Sequence, residues 1–243
     1  HTLGPMRAAG KFVEHLNAVN VLSSVVHVRI NLYGSLALTG VGHATDKAVI
    51  LGLAGFDAAT IDPDEAERYF RVTQAESTLL LGGEHHIRFN VDECIRFLGD
   101  VFLPEHPNGM RFFAYDSAGV ILHDAIFYSV GGGFVLSDAE ADQQNTKAES
   151  AVQLPYHFDN GEELLELCER NNMSIAQLVL KNELAFHDQS TLTAKLRQIW
   201  GVMDACIKRG CNESGDLPGG LDLKRRAPVL YQELQSDPEA ALQ

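Results

Sequence analysis

Residues 25–55 read VVHVRINLYGSLALTGVGHATDKAVILGLAG, passing from a β-branched segment through glycines into an apolar run. The alternation over 25–33 predicts a β-strand, because successive side chains on a strand point to opposite faces. A glycine-interrupted turn follows. The apolar run from about Thr45 then predicts a helix, capped by Thr45 or its neighbour. This strand–turn–helix unit indicates a fold that mixes α and β structure.

The mixed pattern extends outward from this unit in both directions. Pro5 and the apolar spacing of residues 5–19 predict a helix upstream, since proline suits a first helical turn. Pro63 and its acidic neighbours predict another helix downstream, with the acids near the positive end of the helix dipole. Short strands are predicted at 78–81, 86–91, 110–116 and 120–128.

Residues 137–150 (SDAEADQQNTKAES) are nearly without apolar side chains, which is typical of a linker. The pattern after them is helical, followed by an extended tail predicted at 215–228. The fold class expected is therefore α+β. The expected parts are a mixed domain at 1–140, a linker at 141–150, and the beginning of a helical domain at 151–243. Helices of that domain are predicted at about 160–172, 174–188 and 190–210, with caps at Asn160 and Ser174 and an end at Gly210.

The composition excludes several classes of protein. The chain of 243 residues has 19 Lys and Arg against 33 Asp and Glu, a net charge of −14. Such a surface disfavours nucleic acid and anionic membranes, which bind through clustered cations. No apolar run reaches the roughly 18 residues of a membrane span. We expect no signal peptide and a cytoplasmic protein. The four cysteines lack the spacing of zinc or redox motifs and are expected to be reduced thiols.

Several turns carry residues that could do chemistry. His43, between two small residues, could transfer a proton near neutral pH. Thr45 and Asp46 stand at a helix start, where free N–H groups favour an anion such as a carboxylate. The plainer alternatives are a capping Thr45, an ordinary loop histidine and, for Asn108, a simple turn asparagine. Glycines 131–133 lack the Lys-Ser/Thr of a phosphate loop. These patterns are compatible with a site for a small anion, but they do not indicate which reaction is catalysed.

Six segments together resemble the signatures of the iron–sulfur L-serine dehydratases, in the same order and with plausible spacing. One segment alone would be weak, but the six cover nearly the whole chain. The first segment resembles the family's Ser-Ser-His-Thr-x-Gly-Pro-Met signature from its histidine onward. The resemblance implies an amino-terminal portion of such an enzyme, because the family's cysteine motifs, which belong to its carboxy-terminal half, are absent. The segments are HTLGPM (1–6), YGSLALTGVGHATD (33–46), NGM (108–110), SVGGGF (129–134), KNELA (181–185) and LPGGLDLKRRA (217–227).

The resemblance implies an enzyme of amino-acid degradation that converts L-serine to pyruvate and ammonia without pyridoxal phosphate. It implies a 4Fe–4S cluster whose open iron acts as a Lewis acid on the leaving hydroxyl. None of Cys94, Cys168, Cys206 and Cys211 lies in a matching motif. The cluster ligands are thus expected in the missing carboxy-terminal half, no metal ligand is assigned here, and the fragment alone is expected to be inactive.

The resemblance also implies site residues and partners. L-serine is the expected partner, and a homodimer is the expected assembly. The base cannot be chosen among the implied catalytic residues, which are His1, His43 and Thr45. The implied substrate-binding residues are Ser35, Asn108, Gly131 and Gly132.

Two other kinds of function stay open. The family's first domain resembles the allosteric substrate-binding domain of phosphoglycerate dehydrogenase, so this chain could be a regulatory module that binds L-serine or another small anion. It could also be a structural or dimerisation domain without a ligand. An analogy of fold alone does not decide among these readings.

Overall fold

The computed structural model describes residues 1–144, 152–217 and 222–236. The chain divides into two compact units, the first covering the described residues up to 144 and the second covering the described residues from 152 onward. The first unit mixes helices and strands, whereas the second is built from helices, which confirms the predicted α+β class.

The elements of the first unit begin with α1 and end with α6. Short 3-10 turns lie at Leu22–Ser24 and Val41–His43. The helices are α1 (Leu3–Ala18), α2 (Gly34–Thr39), α3 (Thr45–Leu53), α4 (Pro63–Glu76), α5 (Val91–Cys94) and α6 (Asp138–Gln144). The strands are β1 (His27–Tyr33), β2 (Thr78–Leu81), β3 (His85–Arg88), β4 (Ile95–Leu98), β5 (Gly109–Tyr115), β6 (Ile121–Gly131) and β7 (Phe134–Ser137).

A five-stranded sheet in the order β4-β1-β5-β6-β7 forms the centre of this unit. Only the β1–β4 pair is parallel, and β2 and β3 form a separate hairpin. The register pairs Ile30 with Phe112 and Phe112 with Ala125, so these side chains share one face. Helix α1 packs on that face and α3 packs on α1. Phe12 of α1 is fully buried there, and burying such a side chain contributes roughly 1.5–3 kcal/mol.

One end of the sheet collects the turns that carry the predicted site residues. The antiparallel register brings the start of β5 beside the end of β1 and the end of β6. Ser129, near the end of β6, pairs with Val135 near the start of β7. Helix α1 begins at this same end, because Gly4 lies directly against the side chain of Ser129.

The strand–turn–helix unit is confirmed with one difference at its turn. The strand and α3 lie where predicted, but the predicted turn contains α2 and a 3-10 turn. Gly34 makes this possible, because its φ of +49° turns the chain directly from β1 into α2. A Cβ at Gly34 would stand 2.6 Å from the carbonyl oxygen of Pro107, so a larger residue would not fit.

Some elements differ from the sequence predictions. Helix α6 occupies residues 138–144 of the predicted linker, and 145–150 lie outside the described residues. Glu140 stabilises this polar helix by accepting hydrogen bonds from the backbone N–H and hydroxyl of Ser137, at 2.7 and 2.9 Å. The short α5 and β4 were not predicted. Part of the predicted extended tail lies outside the described residues, and a helix begins within the remainder, at Ala227.

The second unit consists of α7 (Gly161–Asn171), α8 (Ile175–Glu183), α9 (Gln189–Asn212) and α10 (Ala227–Ser236). Asn160 and Ser174 cap α7 and α8 as predicted, and α9 continues two residues past the predicted end at Gly210. Asn182 is buried, and its side chain bonds both the N–H and the carbonyl oxygen of Tyr156, at 2.9 and 2.8 Å. Among the helices described, none has the length and apolar character that crossing a membrane requires.

Candidate functional site

Three of the predicted site residues are tied together where α1 and α3 begin. The hydroxyl of Thr45 donates to the carbonyl oxygen of His1 at 2.6 Å. The hydroxyl of Thr2 donates to the carbonyl oxygen of His43 at 2.8 Å. The imidazole rings of His1 and His43 then meet edge to face, with 5.3 Å between their centroids. Two imidazoles therefore lie side by side at the start of α1.

Thr45 does not cap α3. The residue at the cap position is Ala44, which has a φ of +51° and offers no side-chain acceptor. Thr45 is fully buried, and its hydroxyl proton is directed to His1. Its contacts therefore fix the position of His1 relative to α3.

Thr39, the last residue of α2, contacts both imidazoles but is not among the predicted site residues. Its Oγ1 lies 2.6 Å from Nδ1 of His1, and its carbonyl oxygen lies 2.8 Å from Nδ1 of His43. Sequence spacing alone could have indicated Thr39 as a neighbour of Ser35 and His43. It is four residues from each of them, and residues four apart are neighbours along a helix. The Thr39 hydroxyl also donates to the carbonyl oxygen of Ser35 at 2.9 Å.

Asn108 lies just before β5 and is fixed by its backbone and its amide nitrogen. Its Nδ2 donates to the carbonyl oxygen of Ser129 at 3.2 Å, and the Ser129 N–H donates back to the Asn108 carbonyl oxygen at 3.0 Å. Oδ1 of Asn108 is buried and accepts no hydrogen bond from any residue that the structure describes. A buried acceptor without a hydrogen bond typically lowers the free energy of unfolding by about 1–3 kcal/mol. This oxygen is therefore suited to accept a hydrogen bond from a ligand.

Ser35 links the Asn108 turn to the histidine pair. Its backbone N–H donates to the carbonyl oxygen of Pro107, the residue before Asn108, at 3.1 Å. Its own carbonyl oxygen accepts from Thr39, as described above. A continuous set of contacts therefore runs from His1 and His43 to Asn108 along one end of the sheet.

Gly131 and Gly132 lie at the same end, in the turn between β6 and β7, and both have positive φ. Arg7 of α1 donates to the carbonyl oxygen of their neighbour Gly133 at 2.9 Å. Among the described residues, no hydrogen bond joins Gly131 or Gly132 to the other predicted site residues. The structure therefore brings His1, His43 and Thr45 into direct contact, links Ser35 and Asn108 through backbone, and places the two glycines nearby.

The cysteines of this chain do not fit an iron–sulfur cluster. Cys94 is buried in the first unit, and burial raises the pKa of its thiol to about 11. Cys168 is buried in the second unit, and Cys206 and Cys211 are five positions apart on α9, a spacing that directs side chains to different sides of a helix. Across residues 1–144, 152–217 and 222–236, no three His, Cys, Asp or Glu side chains are grouped as a metal site needs.

The fold and the site define an α+β domain that gathers histidine, threonine and asparagine residues at one end of its sheet and continues into helices. The chain belongs to the serine dehydratase beta chain family, whose model matches residues 1–140. This finding confirms the resemblance that the sequence motifs indicate.

Curated relatives extend the similarity to nearly the whole chain. An L-serine dehydratase of Streptomyces coelicolor is 41% identical over 242 residues, which are 99% of this chain and 53% of the relative. L-serine dehydratase 1 of Escherichia coli is 40% identical over 237 residues, 97% of this chain and 51% of the relative. The L-serine dehydratase of Helicobacter pylori is 35% identical over 241 residues, 98% of this chain and 51% of the relative. The chain thus spans about half the length of the curated relatives it matches.

Proposed function

We propose that this chain is part of an L-serine dehydratase, a lyase that converts L-serine to pyruvate and ammonia. Family membership and the names of the relatives support the reaction. The observation that carries the proposal is the gathering of His1, His43 and Asn108, from distant parts of the sequence, at one end of one sheet. A substrate as small as serine needs its binding groups close together, because a hydrogen bond spans only about 2.6–3.2 Å.

The reaction removes the proton from Cα and the hydroxyl from Cβ, and the aminoacrylate that forms hydrolyses to pyruvate and ammonia. Removing the proton needs a base, and neutral imidazole is suited to this near neutral pH. Nδ1 of His43 is engaged by the carbonyl oxygen of Thr39, which leaves Nε2 to accept a proton. His43 is exposed and so can reach a substrate at the end of the sheet.

The other site residues would bind and orient the substrate. The buried Oδ1 of Asn108 can accept a hydrogen bond from the substrate ammonium group. Gly131 allows close backbone approach, because no described atom lies within 4 Å of the position that a Cβ would occupy. Ser35 and Gly132 would help to bind the substrate carboxylate. Hydroxide is a poor leaving group, and the iron–sulfur cluster implied as its Lewis acid would be held by ligands outside this chain.

The test of this function uses His43→Ala in the full-length protein that contains this chain. Turnover of L-serine should fall by about 10²–10⁴-fold, the typical effect of losing a proton-transfer group. The melting temperature should be nearly unchanged because His43 is exposed. The matched control is His86→Ala, an exposed histidine on β3, which should leave pyruvate formation intact. Normal kinetics in the His43 variant would show that His43 is an ordinary loop histidine without a catalytic role.

A second experiment separates the enzyme from the alternatives. The 243-residue chain alone should contain no iron–sulfur cluster and form no pyruvate, because its cysteines are not grouped as ligands. Anaerobic reconstitution that gave a stable brown protein with bound iron and sulfide would contradict this expectation. Titration calorimetry on the same chain with L-serine and D-serine then distinguishes a regulatory binding module from a structural domain. The expected homodimer is tested by light scattering on the full-length protein.

A further inference from the structure

The contacts of Thr39 determine which nitrogen of each site histidine carries a proton. The carbonyl oxygen of Thr39 lies 2.8 Å from Nδ1 of His43. A carbonyl oxygen can only accept, so Nδ1 of His43 must be the donor. The lone pair of a neutral His43 therefore lies on Nε2.

The proton on His1 is determined by the Thr39 hydroxyl. That hydroxyl has one proton, which it donates to the carbonyl oxygen of Ser35 at 2.9 Å. Toward Nδ1 of His1, at 2.6 Å, the Thr39 oxygen is then the acceptor. Both short contacts of the Thr39 oxygen are hydrogen bonds only if Nδ1 of His1 carries a proton, which leaves the lone pair of a neutral His1 on Nε2 as well.

We propose that Thr39 is a positioning residue that holds His1 and His43 in the tautomer with a proton on Nδ1, so that both Nε2 atoms are free to accept a proton. The assignment of tautomers rests on geometry alone, and its catalytic consequence rests on the proposed function. Tautomer control of this kind matters because an imidazole held in the wrong tautomer cannot act as a base at the required nitrogen.

Thr39 lies where a substitution can change the histidine tautomers without destabilising the fold. Thr39 is exposed at the end of α2, so its hydroxyl does not contribute to a core. The two histidines use different atoms of Thr39: His1 bonds the side chain, and His43 bonds the backbone. Thr39→Val keeps the branched shape and the carbonyl oxygen but removes the hydroxyl. It should therefore affect His1 and leave His43 as an internal control.

The test is to measure the ring nitrogen shifts of both histidines by long-range ¹H–¹⁵N correlation in this chain. The measurement is made above the ordinary histidine pKa of about 6.5, where the rings are neutral. We expect both rings in the Nδ1–H tautomer in the wild type and in Thr39→Ser. In Thr39→Val, His1 should become a mixture of tautomers while His43 stays unchanged. A wild-type His1 with its proton on Nε2, or a Thr39→Val spectrum identical to the wild type, would overturn the proposal.

Kinetics of the full-length protein separate this inference from the proposed function. Thr39→Val should lower kcat by about 5–10-fold, the effect expected for one hydrogen bond, with little change in KM and recovery in Thr39→Ser. If the ring shifts behave as expected but kcat is unchanged, the positioning of His1 stands and its proposed role in catalysis is wrong.

Discussion

Gly4 and Gly10 stand on the same helix in very different surroundings. A Cβ at Gly4 would overlap the hydroxyl of Ser129 at the end of β6, whereas nothing lies within 4 Å of a Cβ at Gly10. We expect Gly4→Ala to destabilise the chain by about 1–3 kcal/mol, because α1 must shift away from the sheet. Gly10→Ala is the matched control and should be neutral or stabilising by up to about 1 kcal/mol, since alanine favours a helix interior. Urea unfolding of both variants measures the difference, and equal effects would contradict the close contact.

Cys94 and Cys206 differ in access to solvent. Burial raises the pKa of Cys94 to about 11, whereas Cys206 is exposed on α9. At pH 8 only about one Cys94 thiol in a thousand is the reactive thiolate, and that thiolate is covered. Iodoacetamide should therefore label Cys206 long before Cys94, as measured by mass spectrometry of the peptides. In urea the two should react at similar rates, and fast labelling of native Cys94 would show that α5 opens readily.

The site was only partly predictable at the level of residues. His43 and Asn108 stand out because each lies beside a glycine in a turn, and Thr45 stands out because it begins a helix. Thr39 did not stand out in the sequence, because one of its two hydrogen bonds to the site histidines uses a backbone carbonyl oxygen that any residue would supply. The pairing of Asn108 with Ser129 depends on the register of β5 and β6, which a sequence pattern does not determine.

Among the helices, α9 carries a strong pH-dependent cap. Asp188 accepts hydrogen bonds from the hydroxyl and N–H of both Ser190 and Thr191. The Ser190 hydroxyl and then the Thr191 groups hold the pKa of Asp188 well below its usual range. The pKa of the Asp188 carboxyl is therefore lower in the folded state than in the unfolded state. The stabilisation by the cap is present above the unfolded value of about 3.9 and is lost only as pH falls through the lower folded pKa.

In the wild type, the amide shifts of Ser190 and Thr191 should stay constant while pH is lowered through the ordinary aspartate range. Asp188→Asn keeps an acceptor of similar capping strength but cannot titrate, so its first turn should be insensitive to acid at still lower pH. Asp188→Ala should fray at every pH. Amide shifts that titrate in the wild type near pH 3.9 would show that the cap is weak.

The elements that were predicted correctly are those with a local signal. Strand β1 alternates, α4 starts with Pro63 and acids, and α7 and α8 start with side-chain caps. The missed elements depend on distant partners. Strand β4 has four residues and exists by parallel pairing with β1, and α2 is fixed by the bond from the Gly34 N–H to the carbonyl oxygen of Val101 at 2.9 Å. Neither partner can be read from the segment itself.

At the scale of the whole molecule, the second unit exposes a large amount of apolar surface on α9. Large side chains that are more than half exposed stand along this helix: Leu196, Ile199, Trp200, Val202, Met203 and Ile207. Contiguous surface of this kind on a protein usually marks an interaction site. In a protein of the relatives' length, we expect residues outside this chain to cover it.

The fluorescence of Trp200 reports whether the apolar surface of α9 is covered, because Trp200 is the single tryptophan of the chain and is 60% exposed. In the chain alone, its fluorescence should resemble that of tryptophan in water and be quenched readily by acrylamide. In the full-length protein the emission should shift to shorter wavelength and the quenching should weaken. Free tryptophan measured in the same buffers is the control. Equal quenching in the two proteins would show that α9 faces solvent in both.

The packing of α1 against β5 has a consequence for how the chain reaches its native state. Phe12 stacks on Phe112 with 5.3 Å between ring centroids, so α1 packs against a strand that is synthesised about 100 residues after it. Contacts so distant along the chain raise the contact order and slow folding. At about 5–20 residues per second, the ribosome delivers β5 some 5–20 s after α1. During that interval the apolar side of α1 is open to chaperones and to mispairing with other nascent chains.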